Sequence, residues 1–126
     1  MQQGLFLALH LMDDLADFVH QRLARAGLGG LDDRIQAAAP SCYLCGFPAL
    51  LKTIGPQDAE QNIFGQLAFG MDHADYLLMR APTPILICAA TKDFFDIGGA
   101  WDVFRYGKRL YSRMGFAERV SLLEND

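Results

Sequence analysis

The stretch Pro82-Thr-Pro-Ile-Leu-Ile-Cys-Ala-Ala-Thr-Lys-Asp-Phe-Phe-Asp-Ile97 decides the fold of this chain. Its unbroken apolar run, from Ile85 to Ala89, is typical of a strand that is covered on both faces of a parallel sheet. Prolines precede the run, where a missing N–H does the least harm to a ladder of hydrogen bonds. Asp93 and Asp96 follow at the carboxyl end of the strand, which is where open α/β sheets place their ligand crevices. We therefore expect any active site to lie at this end of the strand.

The composition of the 126 residues indicates one globular domain with its own core, since 52% are hydrophobic and 21% are charged. A net charge of −4, without a run of Lys or Arg, argues against nucleic acid as a partner. Three cysteines, an odd number, argue against a disulfide framework and favour a reducing, cytoplasmic location. The apolar start from Gly4 to Met12 lacks a basic segment and a cleavage site, and no apolar run reaches membrane-spanning length. We expect a soluble protein that binds neither nucleic acid nor membrane.

Helices alternate with short strands along the chain. Apolar periodicity predicts helices over residues 4–26, 58–68, 74–79 and 101–114. Strands are predicted over 35–40, 85–89 and 119–123, and residues 41–56 are predicted to form a loop with one helical turn. This order predicts an α/β fold with a partial parallel sheet of about three strands and flanking helices. Because so few parallel strands leave both sheet edges exposed, the pattern indicates part of a larger fold.

Four segments in order resemble the C-terminal portion of bacterial α/β-hydrolase esterases of the acetyl xylan esterase-like group. Leu31-Asp-Asp-Arg-Ile-Gln-Ala-Ala-Ala-Pro-Ser-Cys-Tyr43 resembles the strand that follows the nucleophile helix. Residues 81–93 resemble the next strand with its acid loop, 106–115 the following helix and 119–126 the final strand. The resemblance covers residues 31–126 and implies a partial α/β-hydrolase domain there. Residues 1–30 carry no such resemblance and are predicted to be an N-terminal amphipathic helix of foreign or divergent origin.

The resemblance implies a serine carboxylic-ester hydrolase, which uses Ser, then Asp, then His in chain order, with the serine on a G-x-S-x-G elbow. Asp93 matches the catalytic acid, which orients the imidazole and stabilises the imidazolium, and Asp96 is the fallback acid. A loop carboxylate or a helix N-cap is the alternative interpretation of Asp93. Phe94, Phe95 and Trp101 flank the acid, where they would bind an acyl or sugar group or else cover the sheet.

The other two members of the apparatus are not found. None of the serines stands in a G-x-S-x-G context, and none of the histidines occupies the family's histidine position, because the chain stops before that loop. An acid without nucleophile and base cannot transfer an acyl group. We therefore expect an esterase fragment, truncated before its histidine and inactive alone, whose intact parent acts on a small ester substrate without a cofactor. The alternative is a non-catalytic α/β protein that forms a homo-oligomer or binds a partner through an exposed sheet edge or its N-terminal helix.

Cys42 and Cys45 form a C-x-x-C pair, a spacing that also occurs in zinc and dithiol sites. Only His73 and Cys88 could complete a zinc site, and a small buried cysteine is the simpler interpretation of Cys88 within its predicted strand. No metal site is therefore predicted. His73 itself is interpreted as part of a turn between helices, in a region that lies near the site entrance in the family.

Overall fold

The computed structural model describes residues 34–53, 55 and 62–126. Its elements, in chain order, are α1 (Phe47–Thr53), α2 (His73–Arg80), β1 (Ile85–Ala90), α3 (Ile97–Arg113), a 3₁₀ turn (Ala117–Arg119) and β2 (Val120–Asn125). The predicted N-terminal helix, and with it the proposed segment 1–30, lies outside the described residues. The described part has mixed α/β character, as the sequence predicts.

Among the described residues the sheet consists of β1 and β2, which pair in parallel from Ile85 with Val120 to Ala90 with Asn125. Both strands were predicted, and the structure extends β2 by two residues beyond the predicted end. Helix α3 connects the two strands and packs against them. It begins at Ile97 rather than at residue 101, because the Asp96 carboxylate accepts a hydrogen bond from the Gly99 N–H and caps the helix there.

The prediction of three strands is wrong, because residues 35–40 form only isolated bridges to the other edge of β1. The hydrogen bonds of this edge join Ala38 N to Pro84 O, Leu86 N to Ala38 O, Cys88 N to Pro40 O and Cys42 N to Cys88 O, at 2.9–3.0 Å. A continuous parallel ladder would also need a bond from residue 40 N to Leu86 O. Pro40 has no N–H, so that bond cannot form and the pairing is reduced to bridges at Ala38 and Ser41.

The helix predicted over residues 58–68 is wrong where the structure describes it. Residues 64–70 form a succession of turns, with Gly65 at a φ of +76° and Gly70 at a φ of +77°. Positive φ values are incompatible with a right-handed helix. The helix predicted over 74–79 is confirmed as α2, and the loop predicted over 41–56 contains the two turns of α1.

The core lies between the sheet and helices α2 and α3. Its buried apolar members are Tyr43, Leu44, Tyr76, Leu77, Ile85, Ile87, Val103, Tyr111 and Val120. Each large side chain buried here contributes about 1.5–3 kcal/mol to folding. Gly107 lets α3 approach α2 closely, since a Cβ at this position would lie 3.0 Å from Leu77 Cδ1. No helix in the described part of the chain is long and apolar enough to cross a membrane.

Candidate functional site

The carboxyl end of β1 leads into the loop 91–96, which carries the predicted acid Asp93. The backbone N–H of Asp93 donates to Ala90 O at 3.3 Å, and its Oδ1 accepts from Phe95 N at 3.5 Å. The second distance is long for a hydrogen bond, so the carboxylate retains most of its capacity as an acceptor. Asp93 is half-buried. Because its loop follows β1, it lies at the carboxyl edge of the sheet, where parallel strands present ligand sites.

The thiol of Cys42 lies near the Asp93 carboxylate and accepts a hydrogen bond from Ser41 Oγ at 3.9 Å. Burial raises the pKa of the Cys42 thiol, and the neighbouring Asp93 carboxylate raises this pKa further. The thiol is therefore protonated near neutral pH. Cys42 adopts a φ of +48°, in the left-handed region that few non-glycine residues occupy, and such backbone conformations cluster at functional sites.

The loop 42–46, which carries Cys42, is held from one side by the start of α2. The N–H groups of Cys45 and Gly46 donate to His73 Nδ1 at 3.3 Å and 3.2 Å. Asp72 Oδ1 accepts from Phe47 N at 2.7 Å, at the start of α1, and from His73 N at 2.6 Å. We call Asp72 and His73 the latch, since together they bind three consecutive backbone N–H groups of this loop and of α1.

The imidazole of His73 is completely buried among aromatic rings. Its ring centroid lies 5.2 Å from that of Tyr43 and 4.7 Å from that of Phe47. Burial lowers the pKa of His73 to about 4, although the nearby Asp72 carboxylate acts in the opposite direction. His73 is therefore neutral at pH 7, with its Nδ1 unprotonated. Its place in the fold is structural, and it does not lie at a site entrance.

The same loop is held from the other side by the start of α3. A Cβ at Gly99 would lie 2.1 Å from the carbonyl oxygen of Cys45 and 2.7 Å from Ala49 Cβ, so only glycine permits this contact. Asp96 Oδ2 accepts from Gly99 N at 2.6 Å. The carboxylate of the fallback acid is thus engaged in capping α3, whereas the carboxylate of Asp93 caps no helix.

The predicted substrate-binding aromatics lie in two different surroundings. Phe94 is 64% exposed, and its ring centroid lies 4.7 Å from that of Phe95, which packs on a small buried cluster. Trp101 instead donates through Nε1 to Glu124 Oε2 at 2.8 Å, and Thr91 Oγ1 donates to Glu124 Oε1 at 3.1 Å. Trp101 is therefore hydrogen-bonded to the end of β2, while Phe94 and Phe95 lie on the loop 91–96 next to Asp93.

The C-x-x-C pair consists of two protonated thiols. Burial, followed by the charge of Asp96, raises the pKa of Cys45 to about 11, and no disulfide joins any of the cysteines at positions 42, 45 and 88. A protonated, buried thiol is a poor metal ligand and a poor nucleophile. Within residues 34–53, 55 and 62–126, no group of three or more His, Cys, Asp or Glu side chains is placed to hold a metal ion.

Sequence reasoning missed the latch, the proximity of Cys42 to Asp93, and the hydrogen bonds that Glu124 accepts from Trp101 and Thr91. One signal for the latch was present, because Asp72 and Asp75 are spaced as a capping box before an apolar run. Comparison of the chain with models of known protein families, with curated protein sequences and with solved structures gave no match.

Proposed function

We propose that Asp93 is the acid of a Ser-His-Asp apparatus in an acetyl esterase-like serine carboxylic-ester hydrolase. The observation that carries the proposal is a half-buried carboxylate on the loop that follows β1, at the carboxyl end of a parallel pair of strands. This is the position at which α/β sheets build their sites. The competing carboxylate, Asp96, is engaged as the N-cap of α3, which favours Asp93 over the fallback acid.

In the proposed reaction a serine oxygen attacks the ester carbonyl while an imidazole accepts the serine proton. The imidazole then passes that proton to the departing alcohol, and water hydrolyses the acyl-serine by the same route. Asp93 accepts the hydrogen bond of the imidazole N–H, fixes its tautomer and stabilises the imidazolium.

The nucleophile and the base of this apparatus are proposed to come from outside these 126 residues. The three serines, at positions 41, 112 and 121, all lack a G-x-S-x-G context. His73 is unsuited to act as the base, because it is completely buried, its pKa is lowered to about 4 and its Nδ1 accepts two backbone N–H groups. His10 and His20 lie outside the described residues. We therefore expect the 126-residue chain to hydrolyse no ester alone.

The experiment measures release of 4-nitrophenolate from 4-nitrophenyl acetate. The 126-residue chain is compared with any longer polypeptide that its coding region specifies. In the longer polypeptide, Asp93→Asn should lower kcat by about 10⁴-fold, the order seen when the acid of a triad becomes an amide. The matched control Asp96→Asn removes a carboxylate three residues away and should leave kcat within about threefold of the parent, with little change in Tm, because Asn caps a helix about as well as Asp. Turnover by the 126-residue chain itself, or full kcat in Asp93→Asn, would contradict the proposal.

A second candidate function is non-catalytic self-association, and the outer edge of β2 favours it. Among the described residues β2 pairs only with β1, which leaves a row of backbone groups unpaired on its other side. Leu123 on this strand is 49% exposed. In this interpretation two copies join their β2 edges and form a homo-oligomer. Sedimentation velocity tests it directly, since a monodisperse monomer across the concentration range would rule this function out.

A further inference from the structure

The C-terminal half of α3 carries a row of cations that are separated in the sequence but lie next to one another on the helix. Arg105, Arg109 and Arg113 are spaced four residues apart, so they lie on one side of the helix at intervals of about 6 Å. All three are exposed. Lys108 lies between them, and Asp102 is the only carboxylate within α3. This concentration of positive charge stands out in a chain whose net charge is −4.

These side chains line a groove with a volume of about 420 Å³. We call it the basic groove, and its lining residues are Phe104, Arg105, Lys108, Arg109, Ser112 and Arg113. The volume falls within the range of small-molecule sites, which is about 300–1,000 Å³. The partly buried Phe104 is its apolar wall, and the ammonium of Lys108 lies 5.7 Å from the centre of that ring.

The described part of the protein neutralises little of this charge. Arg105 pairs with Asp102 at 2.9 Å, but the two side chains are 60% and 78% exposed, so the pair is weak and easily exchanged for another anion. Arg109 and Arg113 make no ion pair with any carboxylate of the described residues. Like charges one turn apart destabilise a helix, and proximity to the helix C-terminus favours only the cation of the last turn. The row therefore has no structural role that accounts for all of its members.

Lys108 is held in place by the fold. Its Nζ donates to Ala117 O at 2.7 Å and to Val120 O at 3.0 Å, which leaves a third N–H for a ligand. The arginines add planar forks, which match the oxygens of a phosphate group in bidentate geometry. We infer that the basic groove binds a small, multiply charged phosphate compound. The inference is independent of the proposed esterase function, because Asp93 precedes the N-terminal end of α3 and the groove lies on its C-terminal half.

The test is isothermal titration calorimetry of the whole chain with sodium triphosphate at an ionic strength of about 0.15 M, where the Debye length is about 8 Å, with sodium chloride of equal ionic strength as the blank. We expect saturable binding of one triphosphate per chain. Arg109→Gln should weaken it by about tenfold, since a charge-assisted hydrogen bond is worth at least that factor. The matched control is Arg119→Gln, which removes one exposed cation that lies outside the groove, over the ring of Phe116. It should change Kd by less than about twofold, as expected for a distant surface charge in screened solution.

Each other result overturns the inference. Absence of saturable binding would show that the groove is not a binding site. Equal loss of triphosphate affinity in Arg109→Gln and Arg119→Gln would show only a general attraction of counterions to the positive charge. Citrate, a tricarboxylate, is the comparison ligand, and citrate binding as tight as that of triphosphate would refute the choice of phosphate. Both substituted side chains are exposed, so circular dichroism should show unchanged folding in both variants.

Discussion

Acid should destabilise this protein through His73, a buried histidine that no catalytic step uses. In the folded chain Nδ1 of His73 accepts two backbone N–H groups of the loop 42–46, and its pKa is lowered to about 4 by burial. In the unfolded chain the pKa returns to its ordinary value of 6.5. Between these two pH values the unfolded state binds more protons than the folded state, so stability falls as the pH falls.

The magnitude follows from the difference between the two pKa values. At about 1.4 kcal/mol for each pKa unit, the step from 6.5 to about 4 is worth about 3 kcal/mol. This contribution is fully present above the unfolded pKa, is lost progressively as the pH falls towards 4, and changes no further below that value. The geometry also predicts that protonation destabilises the fold, because a proton on Nδ1 would face the N–H donors of Cys45 and Gly46.

The assay compares the wild type with His73→Phe by urea unfolding, followed by the fluorescence of the single tryptophan, Trp101. At pH 7 the variant should be less stable by about 2 kcal/mol, because two buried N–H groups lose their acceptor while an aromatic ring still fills the site. Between pH 7 and pH 4 the difference should change by about 3 kcal/mol in favour of the variant, which has no imidazole to protonate at this position and should be the more stable protein at pH 4 by about 1 kcal/mol. The carboxylates and the other two histidines titrate in both proteins and cancel in the difference. A deficit that stays constant with pH, or an NMR signal of His73 that titrates near 6.5, would refute this reasoning.

Two further substitutions test the contacts that shape the site. Gly99→Ala should cost at least about 3 kcal/mol in urea unfolding, because its Cβ would lie 2.1 Å from the Cys45 carbonyl oxygen. Gly98→Ala, where the nearest atom would be Asp96 Oδ2 at 3.1 Å, should cost less than about 1 kcal/mol, because this side-chain oxygen needs to shift only slightly, and equal costs for the two would contradict the packing argument. Pro40→Ala supplies the missing N–H, so hydrogen exchange should show a protected amide at position 40, bonded to Leu86 O. Global stability should then change by less than about 1 kcal/mol, since the new bond offsets the lost rigidity of proline, and a freely exchanging amide would refute the interrupted-ladder interpretation.

The elements that could be predicted are those in which the pattern of buried residues is regular and lies within one short segment. The apolar run of β1 and the alternation of β2 are each visible within six residues, and both strands occur in the predicted order and in parallel pairing. The predicted helix 58–68 fails for the converse reason. Its apolar stripe included Phe64, which is fully exposed in the structure, and the chain turns at Gly65 instead. An apolar period indicates a helix only where a core exists to cover it.

The candidate site could be predicted only in part, because its contacts join distant segments. The place of Asp93 follows from chain order alone, since a loop after a parallel strand lies at the carboxyl edge of the sheet. The hydrogen bonds of His73 span 27 and 28 residues, and α1, α2 and β1 all lie between Cys42 and Asp93, which come close together in the structure. No local pattern encodes such distances. The arginines of the basic groove, in contrast, are four residues apart on a helix that the sequence predicts, and only the carbonyl groups of Ala117 and Val120, which hold Lys108 beside them, depend on the fold.

The loop 42–46 connects the stability of the fold with the geometry of the candidate acid. The latch at the start of α2 binds this loop, Gly99 lets it pack against α3, and Cys42 at its start lies near the Asp93 carboxylate. Substitutions at His73 and Gly99 therefore act on one loop from two sides, and their effects on stability should not be additive. The basic groove lies on the other half of α3, and none of its lining residues belongs to this loop. Loss of the acid's orientation and loss of anion binding are consequently separable, so the esterase proposal and the anion-site inference can each fail without affecting the other.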